Sequence, residues 1–169
     1  MENNKYFYHG FDFNVGIESI EFLYSFSKSG KIKSRVGRVC LYRKNDSVDY
    51  SIEDNYIRSA RSGWIDNCVV FVISPDISAY KLEGDDNLVD EWRCPSDIDF
   101  SKVVGICLPP NFFECSPKYE TTLEIERGIE LHEKIDEIIS EYGWFVGDSS
   151  VPNFTDNLDE SLNNKKNHI

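Results

Sequence analysis

Several short stretches of this 169-residue chain combine residue types that can hold a polar ligand. Tyr8-His9-Gly10 sets an imidazole beside a residue with no side chain, so a hydrogen-bonding group adjoins backbone that a ligand can approach closely. Gly37-Arg38-Val39-Cys40-Leu41-Tyr42 runs from a glycine through an apolar kernel to an aromatic ring, and Ser47-Val48-Asp49-Tyr50 places a hydroxyl three residues before a second ring. Glu91 supplies a carboxylate far down the chain. An imidazole, approachable backbone, aromatic faces and a separate carboxylate are the parts of a nucleotide-binding cleft.

Such groups need elements to hold them. Lys5–His9 is a short aromatic run that reads as a first strand, ended by Gly10, with a loop over Phe11–Gly16. Ile17, Ile20, Leu23 and Tyr24 recur at helical spacing, and Gly30 makes a helix stop. Val39–Tyr42 is the kernel of a second strand within the basic stretch Lys31–Lys44. Asn45-Asp46-Ser47 offers turn chemistry and an N-cap for a polar helix over Val48–Arg61, with Gly63 as its end. Cys68–Ile73 is a continuous β-branched run bounded by Asn67 and Ser74-Pro75, the pattern of a strand buried on both faces. Ile77–Leu82 reads as a short turn or strand and Glu83–Asn87 as an acidic surface loop. Leu88–Cys94 is a strand that carries Glu91, Ser96–Phe100 a turn, and Val103–Leu108 another buried strand, after which Pro109-Pro110 ends the sheet-forming part. Glu120–Tyr142 is a long amphipathic helix with Leu131, Ile135 and Ile138 among its apolar positions and glutamates on the polar side. Gly143 terminates it, and Trp144-Phe145-Val146 is expected to pack back on the body. The fold class is therefore α+β, as one domain over residues 1–155 with a polar, frayed tail over 156–169.

The net charge of −12 sets limits on partners. Phosphate backbones and anionic membranes repel such a chain, so no non-specific binding to either is expected. Against that background Lys28, Lys31, Lys33, Arg35, Arg38, Arg43 and Lys44 form a cationic run, read either as a solvated loop or as a site for an anionic ligand such as a pyrophosphate. The five cysteines include no CxxC or CxxH pair; Cys40, Cys68 and Cys107 read as small buried hydrophobes, which suits a reducing cytosol and a cytoplasmic location. The start, MENNKYFYHG, lacks a charged-then-apolar leader, and no apolar run approaches the ~18 residues of a membrane span. His132 and His168 are expected to face solvent. Glu126, Glu130 and Glu133 near His132 have the spacing of any acidic helix face, so no metal site is expected. Trp64, Trp92 and Trp144 read as packing residues.

Taken in order, Tyr8-His9-Gly10, Gly37–Tyr42, Ser47–Tyr50 and Glu91 resemble the ADP-ribosyltransferase superfamily, in the His–Tyr–Glu branch of diphtheria-toxin-like enzymes and poly-ADP-ribose polymerases. The resemblance spans roughly residues 5–108. It implies a split, mostly antiparallel β-sheet with short helices, NAD as substrate, and mono-ADP-ribosyl transfer to a macromolecular acceptor whose identity stays open, the acidity of the chain favouring a protein over a nucleic acid. It also implies roles. Glu91 would stabilise the oxocarbenium ion that forms as nicotinamide leaves. His9 would hydrogen-bond a ribose hydroxyl, and Gly10 would present backbone to the nicotinamide amide. Tyr42 and Tyr50 would give the ring an aromatic face, and Ser47 would bond the carboxamide. Two departures stand out. Leu41 occupies the place where the family's middle tyrosine usually sits, and Val89 stands two residues before Glu91, where the arginine-modifying toxins carry Glu or Gln. Two other readings remain: an NAD glycohydrolase on the same site, and a non-catalytic acidic protein that binds a basic partner through helix 120–142.

Overall fold

Between Cys68 and Ile73 the chain offers water nothing on either side, and the run forms a strand inside a sheet, covered on both faces. The computed structural model describes residues 6–12, 17–43, 68–81, 90–108 and 122–148. In chain order the elements are β1 (Phe7–Asp12), α1 (Ile17–Ser29), β2 (Lys31–Ile32), β3 (Val39–Arg43), β4 (Cys68–Ile73), β5 (Tyr80–Lys81), β6 (Asp90–Cys94), β7 (Ile98–Asp99), β8 (Val103–Leu108), α2 (Thr122–Tyr142) and β9 (Phe145–Asp148), with one turn of 3₁₀ helix at Phe100–Lys102. The larger sheet runs β5-β6-β3-β1-β4-β8-β9, and β2 pairs with β7 apart from it. Every described ladder is antiparallel except β8 with β9. Those two are parallel because α2 lies between them in the chain and returns it to the same end. The α+β class with a mostly antiparallel sheet is as expected.

Register sorts the strand residues into two faces. Phe7, Val69, Phe71, Ile73, Leu41 and Ile106 belong to one buried cluster with Leu23 and Phe26 of α1 and Leu131, Ile135 and Ile138 of α2. The helix residues recur at three and four positions, so each helix lays one stripe on this side of the sheet. Phe71 is central: its ring lies 6.3 Å from Phe26, 6.2 Å from Phe100 and 6.1 Å from Trp144. Val70 and Val72 alternate with these residues and are also fully buried, so the opposite face of β4 is covered too. Each fully buried Val, Leu, Ile or Phe contributes roughly 1.5–3 kcal/mol over leaving it exposed.

At the end of α2, Gly143 takes φ +65°, and the Trp144 amide bonds the Ile139 carbonyl at 3.1 Å. This left-handed closure turns the chain back so that Trp144 enters the core. Packing back therefore goes further than the sequence suggests, because the residues after Trp144 form β9 and extend the sheet beyond the Pro109-Pro110 stop. Three other expectations change. Gly10 does not end the first strand: β4 pairs with β1 from Phe7 to Asp12, and a full ladder outweighs the entropic cost of one glycine. The expected turn at Ser96–Phe100 contains β7, paired with β2 through Lys31↔Asp99 and Ile32↔Ile98. His132 is partly buried instead of solvent-facing, and Cys40 is only partly buried. Helix 48–61, loop 83–87, Trp64, His168 and tail 156–169 lie outside the described residues. None of the described helices is long and apolar enough to cross a membrane.

Candidate functional site

The site begins with a break in the ladder. β1 is paired with β4 over all six residues, and β3 is paired with β6 over all five. Between β1 and β3, Tyr8↔Tyr42 is the one register pair among the described residues. Continuing that antiparallel register would match His9 with Leu41, Gly10 with Cys40 and Phe11 with Val39. Among the described residues none of these further pairs forms. Each keeps a complete ladder on its other edge, so the sheet can open here without coming apart.

His9 stands where the opening starts. Its Nδ1 donates to the Cys40 carbonyl at 2.7 Å, a side-chain bond where a ladder bond would otherwise run. That bond fixes the neutral tautomer with hydrogen on Nδ1 and leaves Nε2 as an acceptor. Burial lowers the His9 pKa from its ordinary value of 6.5, and the Cys40 bond offsets this only in part. The imidazole is therefore neutral at physiological pH.

The opposite end of the opening is pinned. The Arg43 guanidinium lies 4.5 Å from the centre of the Phe7 ring and 5.0 Å from that of Trp92, and the two rings meet edge to face at 5.4 Å. One cation thus ties β1, β3 and β6 beside the Tyr8–Tyr42 pair. The sequence puts Arg43 in the cationic run, but its role depends on Trp92, a residue of another strand. The only available signal was alternation along Leu41-Tyr42-Arg43, which puts Arg43 on the face of buried Leu41.

Register places the expected site residues as follows. Tyr8, Tyr42 and Glu91 are successive partners across β1, β3 and β6, which makes them one cross-strand row. Gly10, two residues beyond Tyr8, belongs to the same face by the pleat. His9 pairs with Phe71 of the core cluster and so falls in the adjacent row, on the opposite face from the Glu91 position. The positions of Gly10, Tyr42 and Glu91 thus share one face of the sheet and that of His9 belongs to the other, so the expected pair His9 and Glu91 does not share a face, and Glu91 lies two strands from His9. Ser47 and Tyr50 lie outside the described residues. Leu41, in the family's usual tyrosine place, is fully buried in the core.

The open end of the gap is bordered by the hairpin that leads into β3. Asp97 anchors the base of this hairpin, accepting the Ser34 amide at 2.6 Å on Oδ1 and holding Lys33 Nζ at 3.6 Å on Oδ2. The Ser34 hydrogen bonds, aided by Lys33, keep the Asp97 carboxyl below the usual carboxylate range. A separate open hollow of about 490 Å³ is lined by Asp76, Asp97, Asp99 and Lys102 among others. Its carboxylates are already engaged, Asp76 by Lys102 at 2.9 Å and Asp99 by the Ser101 amide at 2.9 Å. No group of three or more potential metal ligands occurs among the described residues. The chain matches no protein-family model, no curated protein and no solved structure.

Proposed function

We propose that this chain cleaves the nicotinamide–ribose bond of NAD and transfers ADP-ribose to a macromolecular acceptor in the cytoplasm. The observation that supports the reading is the Tyr8–Tyr42–Glu91 row across three strands, with Gly10 on the same face and no described register pair between β1 and β3 beyond Tyr8–Tyr42. Beyond that pair the two strand edges share no register pair among the described residues, and free edge groups of this kind can bond a carboxamide. Gly10 adds no side chain to obstruct it.

In the reaction the bond from ribose C1′ to the nicotinamide nitrogen breaks, and its electron pair leaves with nicotinamide. The ribose is left as an oxocarbenium ion, whose charge the Glu91 carboxylate stabilises. Tyr42, with Ser47 and Tyr50, holds the nicotinamide ring and its amide. The acceptor's nucleophile then bonds C1′ and releases its proton. A charge of −12 favours a protein acceptor over a nucleic acid.

The test is nicotinamide release from NAD by the wild type and by Glu91→Gln, with calorimetric NAD binding alongside. Release that falls by roughly 10²–10³-fold in the variant, the scale of losing one charge-stabilising group, supports the reading. A wild type that neither binds nor cleaves NAD overturns it. Free ADP-ribose with no labelled acceptor would identify a glycohydrolase.

One further observation favours a second reading. On α2, Ile125 and Ile129 are 37% and 47% exposed on the side away from the core stripe, next to exposed Glu126, Glu130 and Glu133. An apolar pair within an acidic face suits a basic amphipathic partner. Binding of such a partner that survives mutation of both His9 and Glu91, in a protein inert toward NAD, would establish this reading in place of the first.

A further inference from the structure

The basic hairpin before β3 takes no part in the chemistry above. Arg35 and Arg38 close it through two backbone bonds, Arg35 N to Arg38 O at 2.8 Å and Arg38 N to Arg35 O at 3.2 Å. Its two central residues, Val36 and Gly37, have φ of +54° and +75°, the signs of a type I′ turn. Gly37 adopts this conformation freely. Val36 does not, because a β-branched side chain crowds the backbone there. Nor does burial compensate, since Val36 is 89% exposed.

The strained turn sets Arg35 directly opposite Arg38. Directly paired residues of a hairpin leave from one face of the ribbon, and like charges so placed repel each other. Both side chains are exposed, and among the described residues neither takes part in an ion pair. Nearby Lys33 is paired with Asp97, and the Ser34 amide is bonded to the same carboxylate. The hairpin is thus anchored through one cation, while the two arginines leave the same face of the ribbon with no acidic partner among the described residues.

We propose that Arg35 and Arg38 form a clamp for a diphosphate group. Two planar forks on one face can each give paired N–H bonds to phosphate oxygens, and the anion between them relieves their repulsion. The location matches the proposed cleft. Arg38 immediately precedes β3 at the end where β1 and β3 part, about 7 Å from Cys40 at the rise of an extended strand. A dinucleotide with its nicotinamide ribose in the gap would carry its diphosphate toward this hairpin. The identity of that molecule rests on the NAD reading; the clamp itself does not.

The experiment is a calorimetric titration of the full chain with inorganic pyrophosphate and, separately, with NAD. It compares wild type, the Arg35→Ala/Arg38→Ala double variant, and Arg35→Lys/Arg38→Lys. Circular dichroism confirms the fold, which substitutions at two exposed positions should preserve. Pyrophosphate is expected to bind the wild type, about tenfold or more weaker to the alanine variant, and to an intermediate degree to the lysine variant, which keeps charge without the fork. Absence of pyrophosphate binding to the wild type, or equal binding to the alanine variant, overturns the clamp. Pyrophosphate binding without NAD binding upholds the clamp and removes the NAD reading.

Discussion

His9 Nδ1 donates to the Cys40 carbonyl at 2.7 Å across the line where β1 and β3 separate. The bond makes one side chain a strut between the two strands. His9→Ala would leave a partly buried carbonyl without its partner, at a cost of about 1–3 kcal/mol. Urea denaturation should show a lower midpoint with an unchanged slope. Unchanged stability would show that the bond contributes nothing to the sheet.

Acid should weaken the fold in two stages. Burial lowers the folded pKa of both His9 and His132 from 6.5, so the unfolded chain binds more protons as pH falls below that value. Stability from this source is fully present above pH 6.5 and declines below it until the folded-state pKa values are passed. Asp97 and Asp99 are also lowered, from 3.8, by hydrogen bonds from Ser34 and Ser101 respectively. Their contribution is present above 3.8 and disappears as pH falls through their lower folded values. Melting temperature measured against pH should decline in the first window, and a combined His9→Gln, His132→Gln variant should flatten that decline. A melting temperature that rises on acidification from neutral would contradict the assignment.

Val36→Gly should stabilise the protein. Removing a β-branched residue from a left-handed turn position relieves a strain on the order of 1–3 kcal/mol, less what glycine gives back in the unfolded chain. Thermal melts should shift upward, and pyrophosphate affinity should stay within about twofold of wild type, because the guanidinium pair is untouched. A downward shift would mean that the exposed Val36 side chain makes a favourable contact.

The β8–β9 join is predicted to be intolerant of bulk. A Cβ at Gly105 would lie 2.9 Å from the Phe145 carbonyl oxygen and 3.1 Å from the Phe145 Cβ. Gly105→Ala should therefore cost about 1–3 kcal/mol and loosen β9. Hydrogen exchange should then quicken at Phe145–Asp148 more than in β4. Uniform exchange across both strands would show that β9 does not open as a unit.

Much of this fold follows from short-range pattern. Cys68–Ile73 is apolar throughout and can only be a buried strand or helix segment, and its length and β-branching settle which. The stripe Leu131, Ile135, Ile138 and the stop at Gly143 define α2 within a few residues. Those features depend on neighbours in the chain, so they can be read from it. The two-residue strands β2 and β7 are too short to show any period, and β9 exists only because α2 brings Phe145–Asp148 alongside β8. Glu91 and His9 could be picked out by residue type, but not the rows they occupy. A shift of one residue in the ladders would exchange the faces, and only long-range pairing sets that register. The residue types came from sequence alone. The placing of Gly10, Tyr42 and Glu91 on one face and His9 on the other was decided by tertiary structure, because it depends on how three ladders are registered.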